Sequence, residues 1–260
     1  MKDDPGLGKR RFGRRFRVVV AAAAVTGLVI AAGWGLTLTP LFKVRAIHVS
    51  GASSLTTAAV LRLAGLGPNT NVFYLDTREA EARLEASPLI RSAIVTRHLP
   101  GTLDILVRER VPVAVTDTGT GAVLVGGDGV VMGAAPPSAK LPAIVVVGAV
   151  LPDQRDLAGA ASALSALSAP IRARVATVSV SGGQLTLQMQ GGLQVVYGDA
   201  RQPEAKAQAL KALLVWVAGQ GTVITSVDVS APAAPTAELA GGGVAASPPM
   251  QPSPTASPSR

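Results

Sequence analysis

The sequence is first informative through the residue types that it lacks. Its 260 residues include no cysteine, two histidines, two tryptophans, two tyrosines and four phenylalanines. The absence of cysteine excludes disulfide scaffolds, thiolate zinc sites, iron–sulfur clusters and cysteine nucleophiles. It also suits an extracytoplasmic chain, because such a fold does not depend on redox conditions. Two histidines are too few for a histidine-rich metal site, so histidine-based catalysis would have to use His48 or His98.

Charge is also scarce, and it is unevenly distributed. Charged residues make up 15% of the chain, and 24 Lys and Arg against 16 Asp and Glu give a net charge of +8. Residues 1–17 alone hold seven basic groups and two acidic ones. A nucleic-acid-binding domain typically carries a basic face with stacking aromatics. Since much of the basic excess belongs to one short arm, the sequence argues against nucleic acid as a partner.

No catalytic motif emerges from the residue spacing. The sequence contains no Walker A loop, GxSxG elbow, HExxH or SxxK. The glycine-rich stretch at 126–129 lacks the Lys-Ser/Thr that follows a phosphate-binding loop, so it predicts a hairpin turn. Asp153 and Asp156 have the positions of helix caps rather than of an acid–base pair. The sequence therefore predicts no catalytic residue, cofactor, metal or small-molecule substrate, and it favours a binding protein.

One hydrophobic run is long enough to cross a membrane. Val18–Leu38 contains 21 residues without a charge. A helix of that length spans ~31 Å, which matches a ~30 Å hydrocarbon core. Trp34 lies near its far end, where an amphipathic ring favours the interface, and Pro40 predicts its termination. We therefore predict a single transmembrane helix at 18–38 after a basic cytoplasmic tail at 1–17.

The flanking charges predict the orientation of this helix. Seven Lys and Arg precede the run, whereas the first residues beyond it offer Lys43 and Arg45. The positive-inside rule then places the N-terminus in the cytoplasm and the following domains outside, as in a single-pass type II protein of the cell membrane. A cleaved secretory signal is the alternative, because Arg-Arg-Phe before an alanine-rich run resembles one. The length of the run favours an uncleaved anchor.

The region after the span has the pattern of a small α+β domain. Alternation predicts a strand at 43–50, followed by a helix that Ser53 or Ser54 would cap. Asp76 predicts the start of a second helix at 77–86. Two helices separated by glycine and proline residues thus follow the first strand.

A hairpin completes this domain. Strands predicted at Ile90–His98 and Thr102–Arg110 flank a Leu-Pro-Gly sequence at 99–101, in which Pro and Gly suit the central positions of a type II turn. Glu109 falls on the buried parity of its strand, where it requires a salt bridge or hydrogen bonds. The order strand, helix, helix, strand, strand lets two helices cover one face of a three-stranded sheet. This order predicts an α+β domain at 42–111.

Residues 112–239 are predicted to form a β-rich domain with helices packed on its sheet. One helix is indicated by a leucine and alanine stripe at 157–167, and another begins at Pro203. The last predicted strand is Thr222–Val229, and Pro235–Leu239 adds a short edge piece. Earlier strands of this domain are predicted at 113–116, 123–125, 130–132, 175–181, 184–190 and 193–197.

The C-terminal tail, residues 240–260, has a different composition. Gly, Ala, Ser and Pro dominate it, and Arg260 is its single charge. Such a segment cannot bury enough apolar surface to offset the entropy of ordering. We therefore predict a disordered extracellular tail.

Three segments in and just after the first domain resemble a known family. FKVRAIHVSG at 42–51 and RHLPGTLDILVRERVPVAV at 97–115, with NVFYLD at 71–76 between them, look like the POTRA domain of the bacterial FtsQ/DivIB cell-division family. His98 departs from that pattern, because the family usually has an aromatic residue there. The positions that carry the resemblance are Phe42, Val44, Ile47, Val49, Gly51, Pro100, Leu103, Ile105, Val107, Glu109, Arg110 and Pro112.

The second domain resembles the same family more diffusely. Gly198-Asp199 with Lys206 is similar to a signature of the family's β domain. The ending SVDVSAPAAPTAEL at 226–239 is also similar, although Ser230 stands where a basic residue is common. The resemblance thus extends over about residues 1–239.

The resemblance implies a function and a set of partners. It implies a non-enzymatic membrane scaffold of the divisome, located at the division septum. The implied partners are an FtsB/DivIC-like bitopic protein, an FtsL-like protein joined to it, and the septal peptidoglycan synthase complex. The POTRA domain is implied in recruitment to the divisome, and the C-terminal strands of the β domain are implied to receive the FtsB/DivIC-like partner.

Partner binding is predicted to occur by β-strand addition. The last strand closes the fold, so we predict that it lies at a sheet edge, where unpaired N–H and C=O groups can pair with a partner strand. Proline at Ile224 or Val227 is predicted to abolish binding. Lys206 is a candidate to pair with an acidic group of the partner, although a solvated helix charge is the simpler interpretation. The predicted partner-binding residues are Thr222, Val223, Ile224, Thr225, Ser226, Val227, Asp228, Val229, Thr236, Ala237, Glu238, Leu239 and Lys206.

Two other functions stay open from the sequence. One is a POTRA-type module in outer-membrane assembly or secretion, although such proteins usually repeat POTRA units or append a barrel. The other is a membrane-anchored cell-wall enzyme. Such an enzyme would need His48 or His98 within hydrogen-bond reach of a carboxylate and a hydroxyl in an open cleft.

Overall fold

A computed structural model describes residues 8–37, 39, 42–148, 151–220, 223–239 and 244–245. The chain divides into two compact units, Met1–Glu109 and Arg110–Arg260. Both units combine helices with a sheet, so the predicted α+β class is confirmed.

The first unit begins with one long apolar helix, α1, at Gly8–Thr37. Its stretch Phe16–Gly35 has 20 residues and a mean hydropathy of 2.1, and none of it is buried. Its length and composition are those of a helix that can cross a membrane. A signal sequence near an N-terminus has the same length and composition. Leu38, the last residue of the predicted span, and residues 1–7 of the predicted arm lie outside the described residues.

The rest of the first unit is a three-stranded sheet with two helices. Strand β1 spans Ala46–Ser50, and the helices α2 and α3 span Thr57–Ala64 and Thr77–Glu85. The hairpin strands are β2, Ile90–His98, and β3, Thr102–Glu109. The sheet order is β1-β3-β2, with β1 parallel to β3 and β2 antiparallel to it. The predicted order of elements is therefore confirmed. Its core contains Val60, Leu84, Ile90, Leu103 and Ile105.

In the first unit, one predicted helix cap is right and the other is wrong. Asp76 caps α3, because its carboxylate accepts hydrogen bonds from the backbone N–H groups of Arg78 and Glu79. Helix α2 is capped by Thr56 rather than by either predicted serine. Both serines instead donate to a carboxylate in β3, a long-range contact that local spacing does not reveal.

The β2–β3 turn also differs from its prediction. The Leu99–Pro100 peptide bond is cis, and Gly101 does not have the positive φ that a type II turn requires. Glycine is needed at 101 for a different reason. A Cβ there would lie 2.7 Å from the backbone oxygen of Lys43, so the close approach of the chain before β1 selects it.

The second unit is built on one large sheet. Its described strands run in the order β13-β12-β11-β10-β9-β8-β7-β4-β5-β6. Strands β4, β7 and β8 pair in parallel, as do β10 and β11, and the other neighbours are antiparallel. The strands are β4 Pro112–Asp117, β5 Ala122–Gly126, β6 Val131–Ala134, β7 Ala143–Val146, β8 Val175–Ser181, β9 Gln184–Met189, β10 Gln194–Gly198, β11 Ile224–Asp228, β12 Thr236–Leu239 and β13 Val244–Ala245.

Among the described residues of this unit, three helices accompany the sheet: α4, Gln154–Ala166, α5, Ala169–Arg172, and α6, Pro203–Gln220. Buried residues of α4 and α6 share one core with the sheet, as predicted for helices packed on a β-rich domain. This core includes Leu157, Leu164, Val178, Leu187, Tyr197, Leu210, Leu213 and Val227.

The glycine-rich stretch forms the predicted turn, between β5 and β6. Gly129 has φ +81°, and its backbone N–H donates to the carbonyl of Gly126. A Cβ at 129 would lie 2.4 Å from the Cα of Ala158 in α4. Glycine is therefore required both by the backbone conformation and by the packing of the turn on the helix.

Candidate partner-binding edge

The strand favoured for partner binding does not lie at a sheet edge. Val227 of β11 pairs with Val195 of β10 on one side and with Ala237 of β12 on the other. The predicted edge position of 222–229 is therefore wrong. The reason is that the chain reverses after β11 and adds β12 outside it. Thr222 lies outside the described residues, and Val223 is exposed before the strand begins.

The second predicted segment, Thr236–Leu239, lies closer to the edge. It forms β12, with Thr236 and Glu238 exposed and Ala237 buried against the core. Outside β12 lies β13, which pairs Ala237 with Ala245 and Glu238 with Val244. Only these two pairs cover the strand in the part of the chain that the structure describes. Most of the predicted disordered tail lies outside the described residues, and its described part is this short strand.

Lys206 is neither a solvated charge nor available to a partner. It is 2% exposed, and its Nζ donates to the Asp199 Oδ1 at 2.7 Å and to the Asp199 backbone oxygen at 2.8 Å. The ammonium also lies 5.5 Å from the centroid of the Tyr197 ring. Hydrogen bonds from Lys206 and from the Arg201 backbone N–H lower the pKa of Asp199. Both interpretations of Lys206 drawn from the sequence are thus corrected: the residue is a buried structural contact.

This contact belongs to a cluster that joins β10, α6 and the end of β11. The Tyr197 hydroxyl donates to the backbone oxygen of Pro203 at 2.8 Å, and burial raises the pKa of the phenol. Gly198 has φ +75°, and a Cβ there would lie 2.8 Å from the Cβ of Ser230. The signature Gly198-Asp199 with Lys206 therefore has a structural role, which is to hold the inner strands that support β12.

The first unit closes one of its own edges with side chains. The N–H of Val95 donates to the Glu81 carboxylate at 2.8 Å, and the N–H of Ala93 donates to the Glu85 carboxylate at 3.1 Å. Both glutamates project from α3 with i, i+4 spacing, so they reach successive outward N–H groups of edge strand β2. Sequence reasoning missed this closure, and the i, i+4 glutamate pair was the signal that could have indicated it.

Glu109 at the end of β3 makes the hydrogen bonds predicted for it. Its carboxylate accepts from the backbone N–H groups of Ser53, Ser54 and Leu55 and from both serine hydroxyls, at 2.6–3.1 Å. Burial opposes ionisation of this group, but the hydrogen bonds outweigh burial and lower its pKa to about 2. Glu109 thus fixes the loop between β1 and α2 to the sheet.

The two histidines lie on the outward face of the first sheet. The His98 Nε2 lies 2.9 Å from the Asp104 Oδ2, and both side chains are about half exposed. His48 stands opposite Asp104 in the β1–β3 register. Within the described ranges, no three His, Asp or Glu side chains gather where they could hold a metal ion. The contact between His98 and Asp104 is therefore one between exposed side chains on the outward face of the sheet.

Comparison with known proteins identifies the family. The model of the FtsQ-type POTRA domain matches residues 42–110, and that of the C-terminal domain of cell division protein FtsQ/DivIB matches residues 114–230. Cell division protein FtsQ of Mycobacterium bovis is 30% identical over 224 residues, which are 86% of this chain and 69% of that protein. The chain belongs to the FtsQ/DivIB family. The FtsQ type of the matched POTRA model favours cell division over outer-membrane assembly.

Other FtsQ relatives are similarly distant. The Mycolicibacterium smegmatis FtsQ is 33% identical over 86% of this chain and 65% of its own length, and the Streptomyces bingchenggensis FtsQ is 29% identical over 86% and 87%. This chain thus spans about two thirds of the mycobacterial relatives. The extracytoplasmic domain of Geobacillus stearothermophilus DivIB aligns with a TM-score of 0.33 and 16% identity, over 43% of this chain and 96% of that one. This structural likeness is too weak to add to the assignment.

Proposed function

We propose that this FtsQ/DivIB protein is a non-enzymatic scaffold of the divisome, anchored in the cell membrane by α1. The apolar stretch of α1 and the basic residues before it support a single-pass type II arrangement, with both folded units outside. A membrane tether keeps these units close to other membrane-bound division proteins and so raises their effective concentration. We place the protein at the division septum on the basis of its family.

The observation that carries the proposal is that, among the described residues, two pairs with β13 cover the outer side of β12. A strand at the end of a sheet presents N–H and C=O groups that a partner strand can pair. Here the outer side of β12 is met by two residues of β13, whereas its inner side pairs along the whole strand with β11. A partner strand that pairs with all of Thr236–Leu239 would replace the two β13 pairs with a longer ladder.

The proposed partner is an FtsB/DivIC-like bitopic protein joined to an FtsL-like one, which the scaffold links to the septal peptidoglycan synthase complex. Of the residues predicted to bind the partner, those of β12 lie nearest the end of the sheet, so the proposed site contracts to Thr236, Ala237, Glu238 and Leu239. The residues of β11 pair with the inner side of β12 and so support the proposed site without being part of it. Proline at Ile224 or Val227 would therefore disrupt the sheet itself, and loss of binding in those variants would not locate the partner.

Site-specific photocrosslinking in cells tests the proposed site. A photoreactive amino acid replaces Thr236 or Glu238, whose side chains are exposed on β12. Gln188 is the matched control, because it is exposed on β9 but lies inside the sheet. We expect adducts with the FtsB/DivIC-like protein from positions 236 and 238 and none from 188. Equal capture at all three positions, or capture at 188 alone, would contradict strand addition at β12.

A further inference from the structure

Hydrogen bonds join the outer end of α1 to the loop between α2 and α3. The Asn71 side chain donates to the backbone oxygen of Thr37 at 2.9 Å, and the Thr37 hydroxyl lies 2.6 Å from the Tyr74 hydroxyl. Thr37 is two residues beyond Gly35, where the apolar stretch ends. In a helix this is a rise of ~3 Å, so a membrane-spanning α1 would bring Tyr74 to the level where hydrocarbon gives way to head groups.

Exposed apolar side chains collect at this end of the unit. Phe73 and Tyr74 are 39% and 49% exposed, and Leu99 in the β2–β3 turn is 54% exposed. Phe73 makes edge-on contacts with Phe42 and Tyr74, with ring centroids 5.5 and 5.2 Å apart. These side chains are therefore not part of the buried core. The chain has few aromatic residues, and two of them are exposed here.

The loop and the turn belong to one surface. The Arg97 guanidinium donates to the backbone oxygens of Phe73 and Leu75 at 3.1 and 3.3 Å, which ties the loop to the end of β2. The N–H of Arg45 donates to the carbonyl of Gly101 at 2.8 Å, which ties the chain before β1 to the turn. Lys43, Arg45 and Arg97 are all exposed there. Basic groups thus surround the apolar side chains.

We propose that Phe73, Tyr74 and Leu99, with Lys43, Arg45 and Arg97 around them, form a membrane-seating surface that rests in the outer head-group region of the bilayer. Aromatic rings with a polar tip favour this interface, and the three cations complement lipid phosphates. The surface is continuous with α1, so the inference rests on the proposed anchoring by that helix. Its consequence is that the first unit is held against the membrane by two contacts, the span and this surface.

Nitroxide labels test the membrane-seating surface on the full chain in phosphatidylcholine/phosphatidylglycerol vesicles. Because the chain has no cysteine, single cysteines in Tyr74→Cys, Leu99→Cys, Leu106→Cys and Val25→Cys each carry one label. Leu106 is the matched control, since it is 51% exposed on the outward face of β3. Leu99→Cys leaves the Thr37–Tyr74 contact intact. The measurement is the collision rate of each label with oxygen and with an aqueous nickel chelate.

We expect the nickel collision rate at positions 74 and 99 to be several-fold below that at 106, with oxygen collisions raised at both. The label at Val25 should show the lowest nickel collision rate of the four. Rates at 74 and 99 equal to the rate at 106, with Val25 still shielded, would overturn the membrane-seating surface and leave the anchor standing. Nickel access at Val25 as well would overturn both the surface and the proposed anchoring.

Discussion

Two sheet edges in this protein are closed in different ways. Two outward N–H groups of β2, those of Ala93 and Val95, donate to Glu85 and Glu81 on a helix of the same unit. The outer side of β12 is instead met by two residue pairs from β13. A side chain that accepts from an outward N–H group occupies a donor that an added strand would need, whereas a short strand can be exchanged for a longer one. This difference is why we propose strand addition at β12 rather than at β2.

The two edges also differ in what stands behind them. β12 pairs with β11, and the end of β11 is held by the cluster of Tyr197, Gly198, Asp199 and Lys206. Lys206 is buried although it is charged, and its ammonium is satisfied by the side chain and the backbone oxygen of Asp199. The cluster would therefore hold the inner side of β12 in place during the proposed exchange of its outer partner.

Disturbing this support should have the largest effect. Gly198→Ala forces a Cβ to 2.8 Å from that of Ser230 at φ +75°. We expect a loss of ~3 kcal/mol in the free energy of unfolding of the second unit, measured by denaturant titration, together with weaker partner binding. Gly192→Ala is the matched control, because φ is +89° but nothing lies within 4 Å. It should cost only ~1 kcal/mol. Equal losses in the two variants would show that the contact with Ser230 is unimportant.

Opening the β2 edge should have the next largest effect. The double variant Glu81→Ala, Glu85→Ala leaves two edge N–H groups without their acceptors, and we expect a loss of ~2 kcal/mol because the carboxylates are partly solvated. Hydrogen exchange at the amides of Ala93 and Val95 should accelerate, and sedimentation should show self-association. Glu79→Ala is the control, since Glu79 pairs with Arg83 at the surface. If the double variant exchanged no faster than this control, the glutamates would not close the edge.

The stability of the first unit should also depend on pH, through Glu109, which is a further difference from the β12 edge. The pKa of Glu109 is about 2 in the folded chain against an ordinary 4.5, so its stabilisation is complete above pH 4.5 and fades as the pH falls towards 2. Glu109→Gln should destabilise the first unit by ~1 kcal/mol at pH 7, after allowance for solvent screening, and by nearly nothing at pH 2. Thermal unfolding of both proteins across this range measures the difference. A constant difference would contradict the assignment of the effect to the carboxylate charge.

Removing the tail should have the smallest effect. A chain that ends at Leu239 lacks β13, so a partner strand no longer competes with it. Two residue pairs at a sheet end contribute ~1 kcal/mol or less, so the affinity for the FtsB/DivIC-like partner should rise up to about fivefold. Isothermal titration with the partner's extracytoplasmic segment measures the change. A lower affinity would show that the tail supports binding instead of competing.

The sequence predicted those features that depend on local pattern. Alternating and helical spacing located the elements of the first unit and most of those of the second, although not α5 or β13, and Asp76 marked the start of α3 correctly. The errors all depend on distant residues. Ser53 and Ser54 satisfy Glu109 instead of capping α2, because that carboxylate comes from β3 more than fifty residues away. Gly101 is selected by its close approach to Lys43 rather than by turn type.

The candidate site was predictable only in part. The short segment at 236–239 was identified as an edge piece, but its place outside β11 depends on a chain reversal that periodicity does not report. Lys206 appeared as a solvated helix charge because nothing in its helical spacing reveals Asp199 beneath it. The partner of β12 in the fold, β13, comes from a tail whose composition predicted no strand.

Amide hydrogen exchange of the full chain in membranes, with and without the FtsB/DivIC-like partner, shows directly whether β12 receives that partner. We expect partner binding to slow exchange at Thr236–Leu239, while exchange at the amides of Ala93 and Val95 in the β2 edge stays unchanged. Unaltered exchange across β12 with a bound partner, or slowing confined to β2, would contradict strand addition at β12.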